Sequence, residues 1–161
     1  MHGSKIVQAG LVMATLAFPA QTAFAAISPF TAMAGTWTGG GVVHSSDGTQ
    51  ERLRCRAGYN VGEVGAEMRL NLRCASASYN FDLISDVQYR GGAISGSWSE
   101  ASRNASGTIS GRANGGQIVA SAQGQNFSAE LSLSTRGNRQ IVSLRPRGTN
   151  ITEVSLELVR R

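Results

Sequence analysis

Lysine is almost missing from this chain: Lys5 is the only one, and every basic residue beyond it is an arginine. The run Gly39-Gly40-Gly41 is therefore no phosphate loop, since no Lys-Ser/Thr follows it and no helical pattern begins there. Histidine is nearly as scarce. Beyond the first 25 residues only His44 remains, and one histidine with two cysteines cannot supply the three or four ligands of a zinc site. No metal or other cofactor is expected. A Ser-His-Asp site would have to use His44 with Ser45 and Asp47, but successive residues of a strand end point apart and a triad must converge. Long apolar runs are absent except near the N-terminus, and helical periodicity is absent beyond it.

That N-terminal stretch reads as an export signal. Met1 to Lys5 is short and positively charged, Ile6 to Phe18 is mostly apolar, and Ala23-Phe24-Ala25 offers small residues for cleavage between Ala25 and Ala26. The apolar run is shorter than the roughly 20 residues of a spanning helix. Residues 1–25 are thus expected to be a signal peptide and 26–161 a single domain, periplasmic or secreted, with no transmembrane segment and no cysteine for a lipid anchor. The two cysteines, Cys55 and Cys74, permit one intramolecular bridge in an oxidising compartment.

What is present is alternation. Leu53, Cys55, Ala57 and Tyr59 share one phase, while Arg52, Arg54 and Arg56 take the other. Met68, Leu70, Leu72 and Cys74 repeat the scheme against Arg69, Asn71 and Arg73. Period two means half-buried strands. Setting Cys55 opposite Cys74 puts every apolar residue of both runs on one side, which a one-residue slip would undo. Tyr79, Phe81, Leu83, Val87 and Tyr89 continue inward. If Cys74 faced Tyr79, Glu67 would oppose Asp86 as a carboxylate pair, expected to be part of a solvated ion cluster with Arg69 and Arg90.

Turn signals recur about every 8–12 residues through Gly91-Gly92, Asn114-Gly115-Gly116, Gly124-Gln125-Asn126, Arg136-Gly137-Asn138 and Pro146-Arg147-Gly148. The segment Ala93-Ile94-Ser95-Gly96 is echoed by Thr108-Ile109-Ser110-Gly111, a meander echo rather than a solenoid. The glycine triplet inside the first strand marks a bend of the kind that turns a barrel corner. The expected fold is all-β, an antiparallel meander of about eight to ten short strands closing as an up-and-down barrel, with a β-sandwich as the alternative.

Gly35-Thr36-Trp37, opening the first strand, resembles the Gly-X-Trp of lipocalins and related calycins, and avidin-type barrels begin similarly. The resemblance implies a barrel with Trp37 plugging one end and an arginine from a late strand, Arg145 or Arg160, packed across it. The chain is also similar to small exported proteins common in alphaproteobacteria, and it shares with periplasmic metalloprotease inhibitors the scheme of a small barrel with one disulfide.

Two functions follow as expectations. The inward aromatics Trp37, Tyr59, Tyr79, Phe81, Tyr89, Trp98 and Phe127 would line a site for a small apolar or amphipathic ligand in a non-catalytic barrel. Alternatively, Arg52, Arg54, Arg56, Arg69 and Arg73 form a basic face, and the chain is an interaction or envelope accessory module, inhibitor-like, meeting an anionic envelope surface or a protein partner. Nucleic acid is not expected, because the aromatics lie on the opposite face from the arginines and cannot stack bases beside them.

Overall fold

A computed structural model describes residues 27–161. The expected signal segment and its Ala25/Ala26 cleavage point lie outside the described residues.

The alternating runs become ten strands: β1 Gly35–Ser45, β2 Gln50–Val61, β3 Glu67–Ala75, β4 Asn80–Arg90, β5 Ala93–Glu100, β6 Ala105–Asn114, β7 Gln117–Gly124, β8 Phe127–Arg136, β9 Arg139–Arg147 and β10 Ile151–Arg160. Each pairs antiparallel with the next in sequence, and β10 closes on β1. The barrel is realised and the sandwich is not. Closure leaves no strand with a free edge, which removes the template for edge-to-edge association. Two single-turn 3-10 helices, Thr31–Met33 and Ala101–Arg103, are the only helical pieces among the described residues.

The β2–β3 register follows the hydrophobic pattern: Cys55 faces Cys74, Ala57 faces Leu72, Tyr59 faces Leu70 and Val61 faces Met68. The cysteines are bridged across a sequence separation of 19. The next register differs from expectation. Cys74 faces Phe81 instead of Tyr79, so Asp86 meets Arg69 and Glu67 meets Gln88. A two-residue shift keeps every side chain on its own face, so alternation cannot detect it. What sets it is the loop: Ser76 Oγ and Ser78 N both donate to Glu51 Oε2, at 2.7 and 3.0 Å, and Tyr79 N donates to Ser76 Oγ.

The triplet Gly39-Gly40-Gly41 lies in the middle of β1, in continuous register with both neighbouring strands. A Cβ at Gly39 or Gly41 would collide with the carbonyl oxygens of Glu157 or Ser155, and one at Gly40 with that of Leu53. Only glycine lets both neighbouring strands approach this closely. The β5–β6 echo also acquires a reason: Ile94 lies opposite Gly111 and Gly96 opposite Ile109, so each interior isoleucine faces a glycine. Pro146 and Arg147, the first two residues of the Pro146-Arg147-Gly148 turn signal, still belong to β9. The β9–β10 ladder begins at the Leu144–Val154 pair, so Pro146 lies where β9 has no second partner and its missing N–H breaks no bond.

Candidate functional site

The two ends of the barrel are built differently. At one end the chain before β1 folds underneath the strands. Phe30 and Met33 are fully buried there beside Trp37, Tyr59, Met68, Val87, Ile94, Ile118, Leu133 and Leu158. Trp37 Nε1 donates to Met33 O at 2.7 Å, and the Tyr59 ring meets the indole edge-on at 6.4 Å. The Arg160 guanidinium lies 4.7 Å over the Trp37 ring and donates to the carbonyls of Ala34, at 3.2 Å, and Ala32. One side chain therefore covers the plug and ties its turn to β10. Arg160 takes the position that the calycin resemblance left open between two arginines. Arg145 is instead drawn to Glu153 at 3.9 Å. Gln140 is completely buried, accepts from Tyr59 Oη at 2.7 Å and donates to Thr135 Oγ1 at 3.1 Å. Burial pushes the Tyr59 phenol well above the usual range, opposed by the bond to Gln140, so the group stays neutral.

The opposite end carries only short connections among the described residues, at 46–49, 76–79, 101–104, 125–126 and 148–150. Its rim is aromatic. Tyr79 stacks on Phe81 with ring centres 6.1 Å apart, and Trp98 meets Phe127 edge-on at 5.4 Å. Tyr79 Oη bonds Ser45 Oγ at 2.9 Å, and Trp98 Nε1 donates to Thr108 O at 3.1 Å. The Arg103 guanidinium sits 4.7 Å over the Phe81 ring and donates to Asn80 O at 3.0 Å.

Glu100 holds this corner together. Its side chain is 9 % exposed and accepts from the backbone N–H groups of Asp82 at 2.8 Å, Ser102 at 3.2 Å and Arg103 at 2.9 Å. Burial alone would raise its pKa. The backbone donors, the Ser102 contact and the Arg103 charge outweigh that, and the net shift is downward.

Between plug and rim the interior is apolar and incompletely covered. Leu72, Leu83, Ile109, Leu131, Val142 and Leu144 occupy inward positions on five strands, yet each is only half-buried. Gly107, Gly111, Ala120, Ala122 and Ala129 share that interior face and take up little room. A barrel of about eight strands can already hold one small ligand. In this ten-stranded barrel the half-burial of those six side chains shows that solvent reaches them. Two shallow hollows of about 510 and 540 Å3 mark the wall, among Arg54, Arg56, Arg73, Ala75 and Asp82 and among Asn60, Arg69, Asp86 and Ser97 respectively.

The seven inward aromatics do not form one site. Trp37, Tyr59 and Tyr89 belong to the plugged end, where Tyr89 packs edge-on against Phe30 at 6.1 Å. Tyr79, Phe81, Trp98 and Phe127 form the rim. Strand direction separates them, because the length of a strand lies between its first and last inward residues. The basic face is partly neutralised: Arg69 pairs with Asp86 at 3.3 Å and Arg73 with Asp82 at 3.4 Å, while Arg52, Arg54 and Arg56 have no acidic partner among the described residues. Ser45 binds Tyr79, and Asp47 binds Thr49 through both N–H and hydroxyl, so their bonds lead away from His44. No group of three His, Cys, Asp or Glu among the described residues is placed to hold a metal ion.

Sequence reasoning missed Glu100, Arg103 and Gln140. Gln140 had a signal, being a polar residue in the inward phase of β9. Glu100 had a weaker one, three residues before Arg103 in a Glu-Ala-Ser-Arg turn.

No family model matches this sequence, and no curated protein does. Solved structures do. The chain is similar to an S-type phycobiliprotein lyase, CPES, from Guillardia theta, at 11 % identity and a TM-score of 0.62 over 82 % of this chain and 90 % of that one. It is also similar to Rv2717c from M. tuberculosis, at 13 % identity and a TM-score of 0.65 over 81 % of this chain and 94 % of that one. Identities this low carry over the fold alone, here a closed antiparallel β-barrel.

Proposed function

We propose that the barrel is an exported, non-catalytic carrier that takes a small apolar or amphipathic ligand through the rim formed by Tyr79, Phe81, Trp98 and Phe127. The observation that carries this reading is the asymmetry: one end is sealed by Phe30, Met33, Trp37 and Arg160, while inward leucines, isoleucine and valine above it stay half-exposed. Among the described residues Glu100 is the only buried charged side chain and is already saturated by backbone donors, so the deep interior suits an uncharged moiety. Export rests on the N-terminal charge, apolar run and Ala-Phe-Ala pattern, together with a disulfide that an oxidising compartment preserves. The fold shared with a phycobiliprotein lyase is compatible with a ligand-binding barrel and transfers no residue role.

The test is binding of Nile red, an uncharged apolar fluorophore, to the wild type and to Ala122→Trp and Leu131→Trp. Both variants put an indole into the open interior. Emission enhancement in the wild type and weakening by about tenfold or more in variants with native circular dichroism supports the reading; a lost apolar contact of about 1.4 kcal/mol has that effect. Equal binding by folded variants, or none by the wild type, overturns it.

A second reading, an interaction module, rests on the unpaired row Arg52, Arg54 and Arg56. A pulldown partner lost in Arg54→Glu/Arg56→Glu would favour it.

A further inference from the structure

Net positive charge and exposed apolar surface are concentrated at the plugged end. Within three strand residues of a turn or chain end there, the chain places seven arginines, Arg69, Arg90, Arg112, Arg136, Arg139, Arg160 and Arg161, against two acids, Glu63 and Glu67; Arg69 and Arg139 are paired further up the wall with Asp86 and Glu157, which leaves five arginines without an acidic partner among the described residues. The rim end, measured the same way, carries five arginines and five acids. The exposed large apolar residues of the described chain are Ile27, Val64, Val119, Ile141 and Val159, and all five lie at the plugged end. Val64 tips the β2–β3 turn at 88 % exposure. Register sets two of the others beside arginines, Val119 opposite Arg112 and Val159 opposite Arg139, while Ile141 lies opposite Glu157.

From this arrangement we infer that the plugged end docks on an anionic lipid surface. The basic residues come from β3, β4, β6, β8, β9 and the end of β10, so they ring the barrel end and present a plane of charge. A leaflet of anionic headgroups complements such a plane, whereas a nucleic-acid strand follows a groove. The apolar tips between the arginines suit the interfacial region, where aliphatic side chains leave water. The outer wall at mid-height does not take part. It carries hydroxyl pairs such as Ser110–Ser121, and a wall of that kind has no affinity for hydrocarbon. Contact is therefore peripheral and end-on, with the rim facing away from the bilayer. The inference rests on the charge map and stands apart from the ligand reading.

The experiment is co-sedimentation of the purified chain with vesicles of phosphatidylcholine and phosphatidylglycerol, and with pure phosphatidylcholine. Arg90→Gln/Arg112→Gln/Arg136→Gln removes three arginines that have no acidic partner among the described residues. Arg52→Gln/Arg54→Gln removes two away from the plugged end, one at the rim and one on the wall, and serves as control, and Val64→Ser tests the apolar tip. Each basic residue near an anionic leaflet is worth about fivefold in partitioning, so the triple variant should bind phosphatidylglycerol vesicles about a hundredfold more weakly. The Arg52/Arg54 variant should bind within about twofold of wild type, Val64→Ser should be weaker, and binding should fall steeply as the Debye length shrinks from about 10 Å to about 3 Å with added salt. Equal loss per arginine in the Arg52/Arg54 variant would mean attraction to net charge alone and would overturn the docking end. So would unchanged binding by the triple variant, equal binding to uncharged vesicles, or no vesicle binding by folded wild type.

Discussion

Removing the buried amide of Gln140 should destabilise the barrel more than its size suggests, and the excess should vanish when its partners are removed with it. Gln140 is completely buried and joins Tyr59 Oη to Thr135 Oγ1 through bonds of 2.7 and 3.1 Å. In Gln140→Leu both hydroxyls lose that partner in an apolar setting. An orphaned buried polar group costs about 1–3 kcal/mol, so the variant should lose roughly 3–5 kcal/mol, a large part of a small domain's margin. Tyr59→Phe alone leaves the Gln140 oxygen without its donor and should cost about 1–2 kcal/mol. In the Gln140→Leu background the same Tyr59→Phe change should be neutral or stabilising, because it deletes an orphan. Urea unfolding followed by Trp37 and Trp98 fluorescence supplies the four corners of this cycle, and the coupling should reach about 1.5 kcal/mol or more. Additive losses from the two substitutions would refute the reasoning, since they would mean that water already satisfies the Tyr59 hydroxyl.

Other outcomes follow from the same contacts. Cys55→Ser/Cys74→Ser should cost about 3 kcal/mol in urea unfolding, the value for closing a loop of about 20 residues, and reductant should destabilise the wild type but not the variant. Arg160→Met should lose about 1–2 kcal/mol by freeing the Trp37 ring and the Ala32 and Ala34 carbonyls, with faster amide exchange in residues 30–37 than elsewhere. Glu100 has a folded pKa below its ordinary value of 4.5, so its stabilisation is complete above that value and is lost as pH falls through the folded one. Glu100→Gln should accordingly be less stable than wild type at neutral pH, with the gap narrowing in acid; a gap independent of pH would contradict this.

Much of this architecture is local and therefore legible in the chain itself. Period-two alternation placed Leu53 to Tyr59 and Met68 to Cys74 inward, and with them the pairing of Cys55 with Cys74. Glycine and asparagine turns gave the meander, because each hairpin needs only its own residues. Alternation is blind to a slip of two, so the β3–β4 register, with Asp86 facing Arg69, needed Glu51 to anchor the loop from a different hairpin. Closure of β10 on β1 likewise joins the ends of the described chain, and it alone brings Arg160 over Trp37 and decides between Arg145 and Arg160. The division of seven inward aromatics into three at the plug and four at the rim also depends on strand direction after closure. The gathering of arginines at one end does too, because each strand contributes only one or two. Sequence therefore determined which face each residue occupies, since that is a property of neighbouring dihedrals. Which residues share an end, and whether that end is sealed or open, was decided by packing among residues far apart in the chain.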